Sequence, residues 1–166
     1  TIPESVTSIG SDAFYYCYGL RSVTFGENSQ LTSIGEGAFN WCESLESITI
    51  PASVTSIGEW AFVECYRLVE VWNLSKLNIT AGSEDNGYVG YYAKRVETEP
   101  SESYVYTDEN GYVIYYDGKV KALINYIGNE TKLTIPAGIT EINCFALSDC
   151  YNITSVTFGE NSQLTS

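Results

Sequence analysis

The sequence predicts a mainly β solenoid, in which short successive coils of chain stack on one another. Three observations lead to this prediction: a motif recurs at nearly constant spacing, apolar residues fall in short extended runs, and a glycine stands at the same corner of most copies. With 166 residues, 44% of them apolar, the chain is long enough for one domain with a buried core. We therefore expect parallel strands joined by short helical or 3₁₀ corners.

The repeated motif is Thr-Ser-Ile-Gly, followed by an Ala-Phe pair and by a cysteine eight positions after the isoleucine. Copies occupy residues 7–10, 32–35 and 55–58, with a looser copy at residues 140–143. The cysteines are Cys17, Cys42, Cys65 and Cys150. Steps of 25 and 23 residues between the first copies suit one solenoid coil per unit.

Stacking of the coils predicts the core. A coil of 23 residues cannot bury its own apolar side chains, so successive coils must stack at about the 4.8 Å spacing of hydrogen-bonded strands. Phe14, Phe39 and Phe62 should then form one column, and the motif cysteines a second column of small buried hydrophobes. Cys144 stands outside this pattern, so we expect it near the surface. The sequence does not decide whether it forms a disulfide with Cys150.

A glycine follows the motif isoleucine in the first three copies, at Gly10, Gly35 and Gly58. The fourth copy carries Asn143 there, and asparagine is the side chain that best tolerates a left-handed backbone. We therefore expect a left-handed turn at each of these corners.

The repeats are interrupted between the third and fourth copies of the motif. We divide the chain into residues 1–79, with three coils and a degenerate fourth, residues 80–132, with an irregular coil and an antiparallel β-meander, and residues 133–166, a further coil that stops mid-repeat. The meander is predicted from β-rich runs separated by Asn110-Gly111 and Asp117-Gly118, pairs that tight hairpins favour.

The repeat unit resembles a known family. Its pattern Leu-x-x-Val-x-Phe, a corner, and then Val-Thr-Ser-Ile-Gly-x-x-Ala-Phe-x-x-Cys is similar to the BspA-like subclass of leucine-rich repeats, known from bacterial and some protozoan surface proteins. The resemblance covers roughly residues 1–71 and 133–166. It implies a leucine-rich-repeat right-handed solenoid interrupted by the meander, and a secreted or cell-surface protein that adheres to host or matrix proteins.

Composition argues against several classes of function. A net charge of −13 disfavours nucleic acid as a partner, and the absence of histidine removes the commonest general base and metal ligand. No apolar run reaches the roughly 20 residues of a membrane-spanning helix. We expect no catalytic residues, no cofactor, no metal site and no membrane insertion. Because residue 1 is Thr and methionine is absent, we expect a piece of a longer protein.

Aromatic residues at variable positions are the candidate ligand contacts, because exposed Tyr and Trp rings make amphipathic binding surfaces. The alternative is that they pack against neighbouring coils or cover the convex surface. The candidates are Trp72 on a sheet, Tyr15, Tyr16, Trp41, Trp60 and Tyr66 at the corners, and Tyr104 and Tyr115 in the meander.

The leading hypothesis is a non-catalytic module for protein interaction or adhesion, located outside the cell or on its surface, with a host or matrix protein as partner. A carbohydrate-binding module that uses exposed Tyr and Trp, or a structural spacer in a longer solenoid, are the alternatives. Neither end of the chain carries a polar cap, so we also expect self-association through open coil edges.

Overall fold

A computed structural model of the chain describes residues 1–99, 101–160 and 162–164. The chain divides into two compact units, Thr1–Ser101 and Glu102–Ser166. Both are built from short strands and tight turns, and the described residues contain no helix. The predicted fold class, a mainly β solenoid with parallel strands and an antiparallel meander, is confirmed.

The first unit is a stack of coils with a parallel sheet on each of two sides. Its strands are β1 (Ser8–Ile9), β2 (Ser22–Val23), β3 (Ser33–Ile34), β4 (Ser47–Ile50), β5 (Ser56–Ile57), β6 (Glu70–Asn73) and β7 (Arg95–Glu97). One sheet has the order β1-β3-β5 and the other the order β2-β4-β6-β7. Like positions of the motif pair across the coils, with Ser33 opposite both Ser8 and Ser56. The sequence period is therefore the period of the stack.

The core of the first unit contains the predicted phenylalanine column. The ring of Phe39 stacks on Phe14 at 4.9 Å and on Phe62 at 5.1 Å between centroids, with interplanar angles of 3° and 15°. Phe39 and Phe62 are fully buried, whereas Phe14 in the first coil is half-buried. Full burial of such a side chain contributes roughly 1.5–3 kcal/mol, so this column is a main source of stability.

Three of the four motif cysteines form the second predicted column, while Cys150 packs against the core of the second unit. Cys42 and Cys65 are fully buried, and the Sγ atom of each donates a hydrogen bond of 3.2 Å to a carbonyl of the preceding coil, that of Phe14 and that of Phe39 respectively. Cys17, in the first coil, is half-buried. The thiols thus pack as small hydrophobes and also satisfy carbonyl groups at the corner.

Each corner of the first unit is a series of tight turns, so the prediction of helical or 3₁₀ corners is wrong. Residues with a left-handed backbone recur four positions apart and break any helical run. They are Asp12 and Tyr16, Gly37 and Trp41, and Trp60 and Glu64, with φ between 55° and 62°.

Alternate N–H groups of one corner bond to carbonyls of the next coil. In the first corner the donors are Asp12, Phe14 and Tyr16, and the acceptors are Glu36, Ala38 and Asn40, at 2.9, 2.7 and 3.0 Å. In the second corner the donors are Gly37, Phe39 and Trp41, and the acceptors are Glu59, Ala61 and Val63, at 3.0, 2.8 and 3.1 Å. Corners are therefore joined as strands in a sheet are, and equivalent side chains come to lie one above another.

The motif glycines do not have the left-handed backbone that the sequence predicts, so that expectation is wrong at Gly10, Gly35 and Gly58. Close packing of the coils explains the glycine instead. A Cβ on Gly35 would lie 2.6 Å from the backbone nitrogen of Ser11, and one on Gly58 only 2.4 Å from that of Glu36. Only a residue without a side chain fits between coils at this distance.

The second unit combines a meander with further coils. Its strands are β8 (Val105–Thr107), β9 (Tyr112–Tyr116), β10 (Lys121–Tyr126), β11 (Lys132–Ile135), β12 (Glu141–Ile142) and β13 (Ser155–Phe158). Strands β8, β9 and β10 are antiparallel, as predicted, while β10 also pairs with β12 in parallel and β11 pairs with β13 in parallel. Strand β10 therefore belongs both to the meander and to a coil.

Candidate functional site

A continuous series of aromatic rings crosses the corners of the first unit, and we call it the aromatic strip. Its members are Tyr15, Tyr16, Tyr18, Trp41, Tyr66, Tyr88, Tyr91 and Tyr92. Between coils, ring centroids are 5.5 Å apart for Tyr16 and Trp41, 6.4 Å for Trp41 and Tyr66, and 5.4 Å for Tyr66 and Tyr92. These separations are typical of aromatic pairs that attract one another.

The backbone of the corners positions the first rings of the strip. Tyr16 and Trp41 occupy equivalent left-handed positions with φ of 59° and 61°. Their N–H groups donate to Asn40 and Val63 in the next coil, at 3.0 and 3.1 Å. A left-handed backbone costs an ordinary residue roughly 1–2 kcal/mol, so the hydrogen bonds between corners must offset this cost. In the third corner Glu64 holds this left-handed position, and the ring of that corner, Tyr66, stands two residues further on.

Four of the predicted corner candidates, Tyr15, Tyr16, Trp41 and Tyr66, are brought together in the strip. Tyr15 and Tyr16 are exposed and Trp41 is half-buried. Tyr66 is only 8% exposed, so the expectation that it lies partly outside is wrong. Its ring is covered because it lies between Trp41 and Tyr92, with each of which it makes an edge contact.

Trp60, the remaining corner candidate, is 50% exposed and has a left-handed backbone. It occupies the corner position that Asp12 and Gly37 hold in the two preceding coils. The position itself therefore needs no ring, and Trp60 adds exposed apolar area to the third corner.

Trp72 lies on the sheet of β2, β4, β6 and β7, where polar contacts surround it. Its Nε1 donates to Ser101 Oγ at 3.2 Å, and the ring is half-buried. On the neighbouring strand, Arg95 lies 3.4 Å from Glu70 Oε1 and 3.1 Å from Glu97 Oε1. This environment fits a structural role better than an open contact surface.

The two meander candidates lie in the second unit. Tyr104 and Tyr115 make an edge contact with ring centroids 6.1 Å apart. Tyr115 is 3% exposed, so the prediction of an accessible contact residue there is wrong. The residues of β9 from Tyr112 to Tyr115 are all buried, because both faces of this strand are covered. Tyr104 stays exposed.

Tyr88, Tyr91 and Tyr92 extend the strip to a fourth corner, and they were not among the predicted contacts. They lie in the irregular coil that opens residues 80–132, where Tyr91 contacts Tyr88 at 5.5 Å and Tyr92 at 4.8 Å. The sequence does contain a signal for them, because Tyr-x-x-Tyr-Tyr places three rings within five residues.

Carboxylates flank the strip and affect its phenols. The pKa of Tyr15 is raised by a hydrogen bond with Tyr16, by partial desolvation, and by the nearby charge of Asp12. Desolvation and then Tyr16 and Glu43 raise the pKa of Tyr18. The phenols of Tyr15 and Tyr18 are therefore both neutral at physiological pH.

The same effect recurs at the far end of the strip, where desolvation and the adjacent Glu84 carboxylate raise the pKa of Tyr88. Carboxylates thus lie beside rings at both ends of the strip, at Tyr15 and Tyr18 in the first corner and at Tyr88 in the fourth. An aromatic surface of this kind presents apolar faces and hydroxyl groups beside negative charge.

Charge on the first three corners is of one sign. Residues 10–18, 35–43 and 58–66 contain five carboxylates and neither lysine nor arginine. Between residues 1 and 66 the single basic residue is Arg21, and its Nη2 donates to Glu46 Oε1 at 2.7 Å. The part of the strip on the first three corners therefore lies in a segment of net negative charge.

The cysteines are not members of the aromatic strip. Cys17, Cys42 and Cys65 are free thiols, and Cys144 is exposed, as predicted. Burial raises the pKa of Cys42 to about 12, and it raises the pKa of Cys65 as well. Within the described residues, no three His, Cys, Asp or Glu side chains are grouped as metal ligands would be, and no helix is long and apolar enough to cross a membrane.

The repeats identify the family. The family model for the BspA type leucine rich repeat region matches residues 1–84 and 122–166 in six copies. The chain belongs to this family. BspA-type repeats occur in bacterial surface proteins, and the solenoid of this BspA-type chain is consistent with a protein-interaction module. Among curated proteins, no sequence match is found.

Solved structures similar to this BspA-type chain include three bacterial proteins. One is the pneumococcal vaccine antigen PcpA, with 21% identity over 97% of this chain and 45% of the other, and a TM-score of 0.47. A leucine rich cell surface protein from Faecalibacterium prausnitzii A2-165 has 19% identity over 97% of this chain and 60% of its own, with a TM-score of 0.35. A leucine-rich repeat protein from Eubacterium ventriosum ATCC 27560 has 18% identity over 86% and 48%, with a TM-score of 0.38. The chain spans less than two thirds of each.

Proposed function

We propose that this chain is a non-catalytic protein-interaction module of a secreted or cell-surface bacterial protein, and that the aromatic strip is its contact face. The observation that carries the proposal is the unbroken series of ring contacts across four successive corners. Family membership supports a module of this type, and the resemblance to surface-protein repeats extends the proposal to adhesion.

The composition of the strip suits a protein interface. Single exposed aromatic residues are ordinary, but contiguous ones mark interaction surfaces, and Tyr and Trp are over-represented among the residues that dominate binding energy. Tyr15, Tyr16 and Tyr18 offer open ring area, and Tyr16 packs against Trp41 of the next coil, which in turn contacts the buried Tyr66. Little conformational entropy is lost on binding because the rings already restrain one another.

The chemistry of the chain supports a non-catalytic role. It contains no histidine, so the common base for activating a serine or cysteine nucleophile is missing. The thiols of Cys42 and Cys65 are buried, and their raised pKa keeps them protonated at neutral pH, which makes them poor nucleophiles.

The test is a binding screen on an array of extracellular proteins with the wild-type chain and the double variant Tyr16→Asn/Trp41→Asn. Asparagine tolerates the left-handed backbone at both positions, so the variant removes the rings without changing the corner. The matched control is Tyr151→Asn, which removes a ring that is 89% exposed and belongs to the second unit.

We expect the wild-type chain and the Tyr151→Asn control to bind the same subset of proteins, and the double variant to lose that binding. Signal on a glycan array that depends on Tyr16 and Trp41, without signal on the protein array, would replace the proposal by the carbohydrate-binding alternative. Absence of binding signal on both arrays would favour the structural-spacer alternative.

A further inference from the structure

We propose that the partner segment on the aromatic strip is cationic: an extended peptide stretch that presents arginine at alternate positions. This inference rests on the proposed function and names the chemistry of the partner. It is argued from charge, from the proximity of carboxylates to the rings, and from the spacing of the rings.

Charge complementarity is the first argument. The first three corners carry Asp12, Glu36, Glu43, Glu59 and Glu64, and none of their residues is basic. Asp12, Glu36 and Glu59 are exposed, and the chain as a whole has a net charge of −13. A negative field of this kind speeds the approach of cationic segments and repels anionic ones.

The second argument is the neighbourhood of the rings. The charge of Asp12 acts on Tyr15, that of Glu43 on Tyr18 and that of Glu84 on Tyr88, which places a carboxylate beside a ring at both ends of the strip. A guanidinium group stacks on an aromatic face and forms paired hydrogen bonds with a carboxylate in one plane. An ammonium group acts as a point charge and has no such plane, so the surface favours arginine over lysine.

The third argument is spacing. Rings of successive coils lie 5.5, 6.4 and 5.4 Å apart along the strip. In an extended peptide, residues two apart are separated by roughly 6.6–6.8 Å and point to the same side. An extended segment that crosses the first two coils would therefore bring two alternate side chains over Tyr16, which is exposed, and Trp41, which is half-buried, whereas the next ring, Tyr66, is covered.

The probes that test this inference are fluorescein-labelled peptides of seven residues, measured by fluorescence anisotropy against the whole chain. One peptide alternates arginine with serine, the second alternates lysine with serine, and the third alternates glutamate with serine. We expect the arginine peptide to bind several-fold more tightly than the lysine peptide, and the glutamate peptide not to bind. Tyr16→Asn/Trp41→Asn should weaken arginine-peptide binding by about tenfold, as expected when ring stacking is lost.

A charge-matched pair of triple variants separates local from global electrostatics. Asp12→Asn/Glu43→Gln/Glu84→Gln removes three carboxylates beside the strip. Glu109→Gln/Glu130→Gln/Glu160→Gln removes three exposed carboxylates of the second unit and changes the net charge equally. We expect only the first variant to bind the arginine peptide substantially more weakly. Added salt should also weaken peptide binding less in that variant than in the wild-type chain.

Equal binding of the arginine and lysine peptides, combined with equal losses in the two triple variants, would show general attraction to an acidic protein and overturn the inference. Absence of arginine-peptide binding would overturn it as well. If the protein array is still positive and sensitive to Tyr16 and Trp41, the proposed function stands while its cationic partner is rejected. Circular dichroism of each variant controls for folding. Tyr15→Ser, which removes one exposed ring, serves as a milder ring variant in the binding measurements.

Discussion

At the scale of single residues, the motif glycine shows how one residue type can satisfy different constraints. Sequence reasoning selects the right positions, because glycine recurs there, but it assigns them a left-handed backbone. The structure requires glycine at Gly35 and Gly58 because the backbone of the preceding coil lies within 3 Å of where a Cβ would be. A single sequence does not distinguish the two reasons, since both exclude a side chain.

Gly58→Ala should therefore destabilise the chain, whereas Gly10→Ala should not. The added methyl group at residue 58 would meet Glu36 N at 2.4 Å and force neighbouring coils apart, which we expect to cost roughly 1–3 kcal/mol. Gly10 lies in the first coil with no atom within 4 Å of the built Cβ, so alanine should leave the unfolding free energy within about 0.5 kcal/mol. Urea unfolding of both variants measures the difference, and equal effects would contradict the close packing of coils.

Burial of the thiol column makes stability depend on pH in the alkaline range. The pKa of Cys42 is raised from 9.0 to about 12, so above pH 9 the unfolded chain loses a proton that the folded chain keeps. The unfolded state then binds fewer protons, and the free energy of unfolding falls as pH rises from 9 toward 12. Cys42→Ala should flatten this slope, which urea titrations at several pH values would measure. An unchanged slope in the variant would place the effect elsewhere.

At the scale of elements, the strands were more predictable than the corners. Period-2 apolar runs and the constant step between motifs predict the strands and the stacked rings of Phe14, Phe39 and Phe62, which the structure confirms. A short Ala-Phe-x-x-Cys segment fits one helical turn as well as a series of tight turns, because both close bonds between residues three or four apart. The choice depends on hydrogen bonds to the next coil, which lies 23 or 25 residues away in sequence.

The strip was predictable to a similar degree. Rings at the corners could be read from the repeats, and this prediction found Tyr15, Tyr16 and Trp41. The burial of Tyr66 and Tyr115 depends on neighbours from other elements, Tyr92 in one case and the covered faces of β9 in the other. Periodicity along one strand or coil contains no information about what covers it.

Trp60 provides a test of the left-handed corners. Its φ is 56° and its side chain is half exposed. Side-chain packing therefore contributes little to the free energy of unfolding at this position, and the effect of a substitution depends mainly on backbone strain. We expect Trp60→Gly to be more stable than Trp60→Val by roughly 1–2 kcal/mol, because a β-branched residue is the least suited to this backbone. Thermal or urea unfolding of the two variants gives the difference, and a more stable valine variant would contradict the left-handed assignment.

At the scale of the whole molecule, apolar groups remain accessible in a coil of each unit. Phe14 is half-buried although its counterparts Phe39 and Phe62 are fully covered, and Val156 and Phe158 in β13 are exposed. Within the first unit, the second and third coils bury such residues by stacking, whereas the first coil is covered on one side alone. The chain thus presents apolar surface that association with another molecule could bury.

We predict reversible self-association of the isolated chain through these surfaces. Sedimentation at increasing concentration should show a rising average mass, and Val156→Thr/Phe158→Thr should reduce it, because exposed apolar area in β13 is lost. Tyr151→Asn serves as the control, since it removes an exposed ring outside that strand. A monomer at every concentration would contradict this prediction.

The central claim is that coil stacking assembles aromatic rings into one contact face. Hydrogen exchange of the chain, with and without a protein partner selected on the array, tests it most directly. We predict that binding slows exchange at the amides of residues 10–18, 35–43, 58–66 and 86–93, which form the corners that bear the strip. Protection confined to the strands of the second unit, with the corners unchanged, would contradict the claim.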